Sequence, residues 1–356
     1  MKIHSNDNVE LDIVSGQKKA LCDIKCGEKV IKYGEAIGHA TSDIKKGESV
    51  HMHNVASDIG YDVEFNCRAE GEVRESFDEK TFMGFLRDDG QVGIRNDVWI
   101  IPCVGCINSV ARRLAAISGA KALCHPWGCS QVGDNLERTG ELLAGLARNP
   151  NAGGVLILGL GCENNTIDSM KERLSDTNSE RVRFLNIQDC EDEIAEGKKI
   201  LSELFELVSH DKRVPCPATK LKIGLKCGGS DAYSGVCANP LVGRVAEKLY
   251  SVGAVCLMSE VPEMFSGEHL LLKRTVSDKL FEKAEKMMKR FRSYYARYGE
   301  GVADNPSPGN HAGGITTLEE KSLGCIQKGG SVPVVNVLEM GKASSFDSGL
   351  QLVDGP

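Results

Sequence analysis

The chain has 356 residues, 41% of them hydrophobic and 26% charged, with a net charge of -7 at pH 7. That length provides for two or three domains, and no apolar run approaches the ~18–20 residues that cross a bilayer, which excludes a membrane span. An acidic balance without a dense Lys/Arg block argues against a nucleic-acid partner, and an N-terminus without a cationic start and apolar core predicts a cytoplasmic chain.

Residues 1–57 carry short β-like runs (VELDIV, KKALCDI, EKVIKYG) separated by the turns Lys25-Cys26-Gly27-Glu28 and Lys45-Lys46-Gly47-Glu48, which predicts a small all-β unit within 1–70. At its end His51-Met52-His53-Asn54 is a period-2 pair. On a strand both imidazoles would share a face, as a metal or carboxylate site; two solvent-exposed histidines are the alternative. Polar, aperiodic residues 71–83 read as a linker. Gly84–Asn96 is a Gly-punctuated loop with Arg87 and Arg95, whose forks suit a carboxylate, against a turn with solvated arginines.

From there apolar strands alternate with helical patterns, the mark of α/β layers. A second domain over 84–214 is expected to hold strand Val98–Val104, helix Asn108–Ile117, strands Gly153–Leu160 and Val182–Ile187, and helix Ile194–Val208. His125 and Cys129 lie four residues apart, but Pro126 and Gly128 favour a tight loop, so a ligand or acid–base pair competes with a structural loop. After a Pro-containing break at Ser209–Lys220, a C-terminal α/β domain over 215–356 restarts with strand Leu221–Leu225, helix Pro240–Val252, strand Ala254–Ser259, helix Ser277–Tyr298 and strand Ser331–Leu338. Asn305–Lys328 reads as a long polar stretch in which Lys321 or Lys328 is a cation or a base, since burial lowers a lysine pKa. GLQLVDGP reads as a further strand entering a turn without a closing helix, so this last domain is expected to be incomplete.

The fourteen cysteines are read as reduced thiols. One pattern recurs among them, a cysteine beside glycine after an apolar run: Gly105-Cys106, Gly128-Cys129, Gly161-Cys162, Cys227-Gly228 and Gly324-Cys325. Ligands of open α/β sheets gather beyond the carboxyl ends of strands. Inert packing, iron or zinc ligation and a substrate-pocket wall all remain open, although a lone Cys-x-x-Cys, Cys103–Cys106, speaks against a zinc module.

Taken together, IHSNDNV, VIKYGEAIG, VHMHN, GFLRDDGQVGIRN, CVGCIN, HPWGCSQVGD, NPNAGGVLILGLGCENN, KCGGSDAYSGVCANP, SEVPEMF and NPSPGNHAGGITTLEEKSLGCIQKGG resemble the altronate/galactarate dehydratase family over essentially the whole chain. The resemblance implies an α/β protein with a small N-terminal β-clip (SAF-like) domain and two α/β domains. It implies dehydration of a sugar acid to a 2-keto-3-deoxy acid, and His51-x-His53-Asn54 with Cys325 matches the altronate branch, so D-altronate is the first expected substrate. Galactarate, elimination from sulfolactate, and a non-catalytic sugar-acid-binding remnant are the alternatives. The implied cofactor is Fe²⁺, alternatively Mn²⁺ or an iron–sulfur cluster, and the implied partner is a small sugar acid, with homo-oligomerisation left open. Carried over by position, His51, His53, His125, Lys321 and Lys328 are the expected catalytic residues. His4, Tyr33, Arg95, Asn96, Asp231 and Asn310 are expected to bind substrate, and Cys106, Cys129, Cys162, Glu163, Cys227 and Glu260 form an unresolved pool of metal ligands. His311 and Cys124 are not supported by the family pattern, and Gln17 stands where the family commonly has histidine.

Overall fold

The computed structural model describes every residue except 61–62, 179, 300–304 and 356. The chain forms two compact units: Met1–Asp78 together with Lys222–Glu339 and Ser344–Pro356, and Glu79–Leu221 with Met340–Ala343. The first unit thus combines the N-terminal β segment with the C-terminal α/β segment.

The β segment holds β1 (Val9–Leu11), β2 (Lys18–Ala20), β3 (Lys29–Lys32), β4 (Glu35–Ala40), β5 (Ser49–Val50) and β6 (Val55–Ala56). They make two antiparallel sheets, β1-β2-β5 and β3-β4-β6. Asp23–Val30 (DIKCGEKV) and Asp43–Val50 (DIKKGESV) form an internal repeat whose Ile24 and Ile44 bridge each other. In each copy a glycine at positive φ, Gly27 at 84° and Gly47 at 86°, makes the turn, and Glu28 or Glu48 accepts the amide of Lys25 or Lys45 at 2.7 Å. Strand alternation places Lys18 with Ala20, and Lys32 with Val30, on buried faces. The expected His51/His53 strand pair does not form. His51–Asn54 is a turn closed by the Asn54 and Val55 amides on the His51 carbonyl, which leaves His51 half-buried and His53 exposed.

The second unit begins with β7 (Thr81–Leu86) and β8 (Val92–Gly93), then β9 (Asp97–Pro102), α1 (Asn108–Ser118), β10 (Lys121–Ala122), α2 (Gly133–Ala147), β11 (Ala152–Gly159), α3 (Ile167–Arg173), β12 (Val182–Asn186), α4 (Glu193–Ser209) and β13 (Val214–Pro217). A parallel sheet ordered β10-β9-β11-β12 is covered by α1 and α4 on one face and by α2 and α3 on the other. β13 pairs antiparallel with β7, so strands occupy part of both the expected linker and the expected Pro-containing break. Pro215 and Pro217 are tolerated because alternate residues turn their missing N–H groups to the same side of an edge strand.

Back in the first unit follow β14 (Lys222–Leu225), a π-helical turn (Ser234–Ala238), α5 (Asn239–Ser251), β15 (Val255–Met258), a 3₁₀ turn (Val261–Met264), α6 (Glu268–Leu272) and α7 (Asp278–Arg297). Then come α8 (Pro308–Ala312), α9 (Leu318–Cys325), a 3₁₀ turn (Ile326–Gly329), β16 (Val334–Glu339) and β17 (Gly349–Asp354). The strands form a parallel sheet ordered β14-β15-β17-β16, so the GLQLVD run is an interior strand. Helix α9 completes the β segment's core, since its Leu323 packs with Val9, Val30, Ile37 and Ile44. Among the described residues no helix is long and apolar enough to cross a membrane.

Candidate active site

Within the stretch read as long and polar, Leu318–Cys325 forms helix α9, buried along nearly its whole length. Thr317 caps it, its Oγ1 accepting the Glu320 amide at 3.3 Å while donating to the Ile37 carbonyl at 2.6 Å. Glu319 accepts the Ser57 hydroxyl and, at 2.7 Å, the Asp58 amide. Glu320 receives Lys32 Nζ at 2.6 Å, Lys18 Nζ at 2.9 Å and the Thr316 amide at 2.8 Å. Lys18 also donates to the Gly314 carbonyl. Their side chains are 0% (Lys18), 2% (Lys32) and 1% (Glu320) exposed, so two ammonium groups share one carboxylate in the dark. Burial works against the Glu320 charge, yet Lys18 and Lys32 outweigh it and hold the carboxyl down to about 2. Burial also dominates at Lys18 and lowers it, with Lys32 adding to that, whereas Lys32 is raised because Glu320 and Tyr33 overcome its burial.

Beside this cluster His51 Nε2 donates to the His311 carbonyl at 3.0 Å, and His51 Nδ1 accepts the Met52 amide at 2.7 Å. The two rings lie 6.4 Å apart. His311 Nδ1 is 2.9 Å from the Ile315 carbonyl; that acceptor requires an N–H there, which leaves the neutral ring's lone pair on Nε2. A cavity of about 10 Å³, room for about one water, lies between Tyr33, Asp231, Ser234, Asn239, Glu320 and Lys321. Asp231 accepts the Ser234 amide at 2.9 Å, Asn310 Nδ2 donates to the Ser230 carbonyl at 2.9 Å, and Lys321 is held by Asn305 at 2.7 Å and Glu263 at 3.3 Å.

Tyr33 sits at φ 62° and meets the π-helical turn where it crosses α9. A Cβ on Gly235 would fall 2.4 Å from Tyr33 Oη and 2.7 Å from Gly324 Cα. Gly235→Ala is therefore expected to cost about 1–3 kcal/mol, read as faster hydrogen exchange of the α9 amides. Unchanged α9 exchange would contradict this packing.

A second cluster stands past the carboxyl ends of β14 and β15. Glu260, a non-glycine residue at φ 69°, accepts the Cys227 amide at 2.8 Å, the Cys227 thiol at 3.0 Å, Lys226 at 2.9 Å and Lys328 at 2.8 Å. Burial opposes its charge, but the Cys227, Lys328 and Lys226 hydrogen bonds bring it down to about 2. Burial would lower Lys328, yet Cys325 and Glu260 prevail and raise it.

In the second unit the loops following β9, β10 and β11 carry the other thiols singled out in the sequence. Cys106 and Cys162 are exposed, Cys129 is half-buried and Cys103 is buried. The CENN tip ties loops together: Glu163 accepts the Leu160 and Gly161 amides at 3.0 and 2.7 Å, the Asn164 amide and side chain bond the Cys129 and Gln131 carbonyls, and Asn165 reaches the Cys103 carbonyl. His125 is buried with Nε2 2.8 Å from the Pro102 carbonyl and Nδ1 accepting the Trp127 amide, so both ring nitrogens serve the loop. Arg95 is exposed, and Asn96 bonds Arg87 and the Val208 carbonyl. Both precede β9, roughly 20 Å of strand from the thiols that follow it, so they cannot share one pocket with those thiols.

Comparison with known proteins gives three family matches: the altronate/galactarate dehydratase SAF domain over residues 1–58, the D-galactarate dehydratase/altronate hydrolase second domain over 84–209, and the D-galactarate/altronate dehydratase C-terminal domain over 218–356. Altronate dehydratase of Bacillus subtilis is 42% identical over 391 aligned residues, spanning 100% of this chain and 78% of the relative. The chain belongs to the altronate/galactarate dehydratase family. Altronate dehydratase of Escherichia coli is 40% identical over 357 residues (97% of this chain, 72% of the relative), and the beta subunit of (2R)-sulfolactate sulfo-lyase of Chromohalobacter salexigens is 35% identical over 256 residues (70% and 64%). As a family member the chain is a hydro-lyase.

Of the family positions singled out in the sequence, the first unit gathers His51, Tyr33, Asp231, Asn310 and Lys321 around α9 and α8, and Cys227, Glu260 and Lys328 at the carboxyl edge of its sheet. His4 is exposed beside the Tyr33-Gly34 turn, where the Gly34 Cβ position lies 2.6 Å from its Nδ1. Among the described residues no three His, Cys, Asp or Glu side chains converge to hold an ion. Glu163 is spent on backbone amides and Glu260 on two lysines and a thiol. Sequence reasoning missed Lys18, Lys32 and Glu320 and set His311 aside. The signal for the lysines was their inward phase in KKA and KVIK; nothing local marked Glu320.

Proposed function

We propose that the chain removes water from D-altronate to give 2-dehydro-3-deoxy-D-gluconate. The observation that carries this reading is the excess buried positive charge of Lys18 and Lys32 on the single carboxylate of Glu320, beside the His51/His311 pair. Dehydration of a 2-hydroxy acid takes the C2 proton next to a carboxylate, and the enediolate that forms is a concentrated negative charge. Fixed cations in a water-poor site stabilise that charge without reorganising. In this reading His311 Nε2 removes the C2 proton, Lys321 faces the substrate carboxylate, and His51 fixes the His311 backbone. The imidazolium returns its proton to the C3 hydroxyl, which leaves as water, and the enol tautomerises to the ketone.

The test is a panel of D-altronate, galactarate and (2R)-sulfolactate, assayed with and without added Fe²⁺ or Mn²⁺ under reducing conditions for keto-acid and sulfite. The expected result is keto-deoxy acid from D-altronate with kcat/KM at least about 100-fold above the others, the scale of discrimination that a few polar contacts supply. Faster sulfite release, faster galactarate turnover or no turnover at all would overturn the assignment.

A further inference from the structure

A cavity of about 180 Å³ opens at the amino edge of the second unit's parallel sheet, where α2 ends and β11 and β12 begin. It lies at the other end of the strands from the thiol-bearing loops and shares no residue with the clusters around α9. Its floor is buried and apolar, with Ala147, Val155 and Val182, and its mouth carries the exposed Asp88, Asp89 and Asp176. Three arginines complete the wall, Arg87, Arg148 and Arg181.

Much of this wall is tied to itself. Arg87, from the loop whose arginines suit a carboxylate, is already spent on the Pro150 carbonyl at 2.8 Å, Asn96 at 2.9 Å and Asp211 at 3.4 Å. Arg181 holds Asp211 through Nη1 and Nη2 at 2.9 and 2.7 Å, and Nη1 also donates to the Gly153 carbonyl at 2.9 Å. Arg148 pairs with Asp176 at 2.8 Å. Polar capacity is nevertheless left over. Arg181 Nε and Arg148 Nη1 donate to no described group, and Asp88 takes Asn178 on Oδ2 while Oδ1 accepts from none. Three guanidinium groups facing three carboxylates offer an anion no excess positive charge, and the unspent N–H groups repel a cation. A hydroxyl both accepts and donates, so a run of hydroxyls meets the spare donors and the spare acceptor together, with its C–H groups on the apolar floor. The volume is little above the roughly 150 Å³ that admits benzene, which sets the size at about four or five carbons.

We propose that this cavity is a second small-molecule site, which binds a neutral polyol of that size. Arg148 and Arg181 donate to neighbouring hydroxyls, and Asp88 accepts from one.

The experiment is hydrogen exchange of the full chain with xylitol, and separately with xylonate as its anionic counterpart, each up to about 20 mM. The expected result is xylitol protection confined to the amides around residues 86–89, 152–155 and 176–178, half-maximal at about 1–10 mM, the range for a ligand of so few atoms. Arg148→Met keeps the apolar stem without the donors, and Asp88→Ala removes the acceptor; each should raise the half-saturation at least about fivefold, the scale of one lost hydrogen bond. Both side chains reach solvent, and exchange without ligand shows that each variant keeps its fold. No protection, protection of both units alike as an excluded osmolyte gives, undiminished binding in both variants, or tighter binding of xylonate than of xylitol at these residues overturns the proposal. The map reads where the chain is protected, so its outcome is independent of which sugar acid the enzyme turns over.

Discussion

Replacing Glu320 with alanine is expected to destabilise the first unit by about 3–5 kcal/mol, because it removes one partner of a buried ion cluster and leaves the others uncompensated. Lys18 and Lys32 reach Glu320 from two different sheets with side chains 0% and 2% exposed, so neither ammonium can turn to water when the carboxylate goes. The measurement is hydrogen exchange of the β2, β3 and α9 amides in denaturant. Trp99 and Trp127 both lie in the second unit, so their fluorescence serves as an internal control. The pH dependence has a definite sign. The folded Glu320 carboxyl sits near 2 against 4.5 for the free group, so its contribution is fully present above 4.5 and is lost as pH falls from there towards 2. The gap between wild type and variant should therefore be flat at neutral pH and close in acid. A loss below about 1 kcal/mol, the level of an exposed pair, or a gap that persists in acid would refute the account. Substituting all three residues with methionine should recover much of the loss, since apolar replacement of a buried ion cluster is often neutral.

His311→Asn is expected to lower kcat by about 10²–10⁴-fold, the usual contribution of a positioned general base, with little effect on stability. Asparagine's amide can keep the bond that His311 Nδ1 makes to the Ile315 carbonyl at 2.9 Å, but it has no counterpart to Nε2. The His51 contact is to the backbone carbonyl of residue 311 and survives the change. In the rate profile the limb that reports protonation of the base should vanish with the residual rate. Substituting His53, which is exposed, should be nearly silent. An asparagine variant with more than about a tenth of wild-type kcat would remove His311 from the role of base.

The main elements were legible because their signals are local. The apolar run Gly153–Leu160 becomes β11, the amphipathic pattern Ile194–Val208 becomes α4, and the charged helix expected over Ser277–Tyr298 forms as α7, each within two residues of the expected bounds. The misreadings share a different cause. Leu318–Cys325 read as part of a long polar stretch because Glu319, Glu320 and Lys321 are charged, yet it is a buried helix whose counter-charges and donors come from the β segment. His51 and His53 looked like a strand pair because nothing in VHMHN shows that Asn54 will close a turn on His51.

The chain by itself determined the α/β layers, the small β segment with its repeated Gly turns, and the family through its long motifs. The inward phase of Lys18 and Lys32 was also written there, as period-2 alternation acting over neighbouring residues. Only the tertiary structure decided that Glu320, 288 positions beyond Lys32, would neutralise part of their charge. The same packing brought a histidine the family pattern had not favoured to stand beside them. Propensity and periodicity act within a few residues of chain, whereas a buried charge is tolerated only where the fold brings it a partner, and that partner can come from anywhere in the sequence.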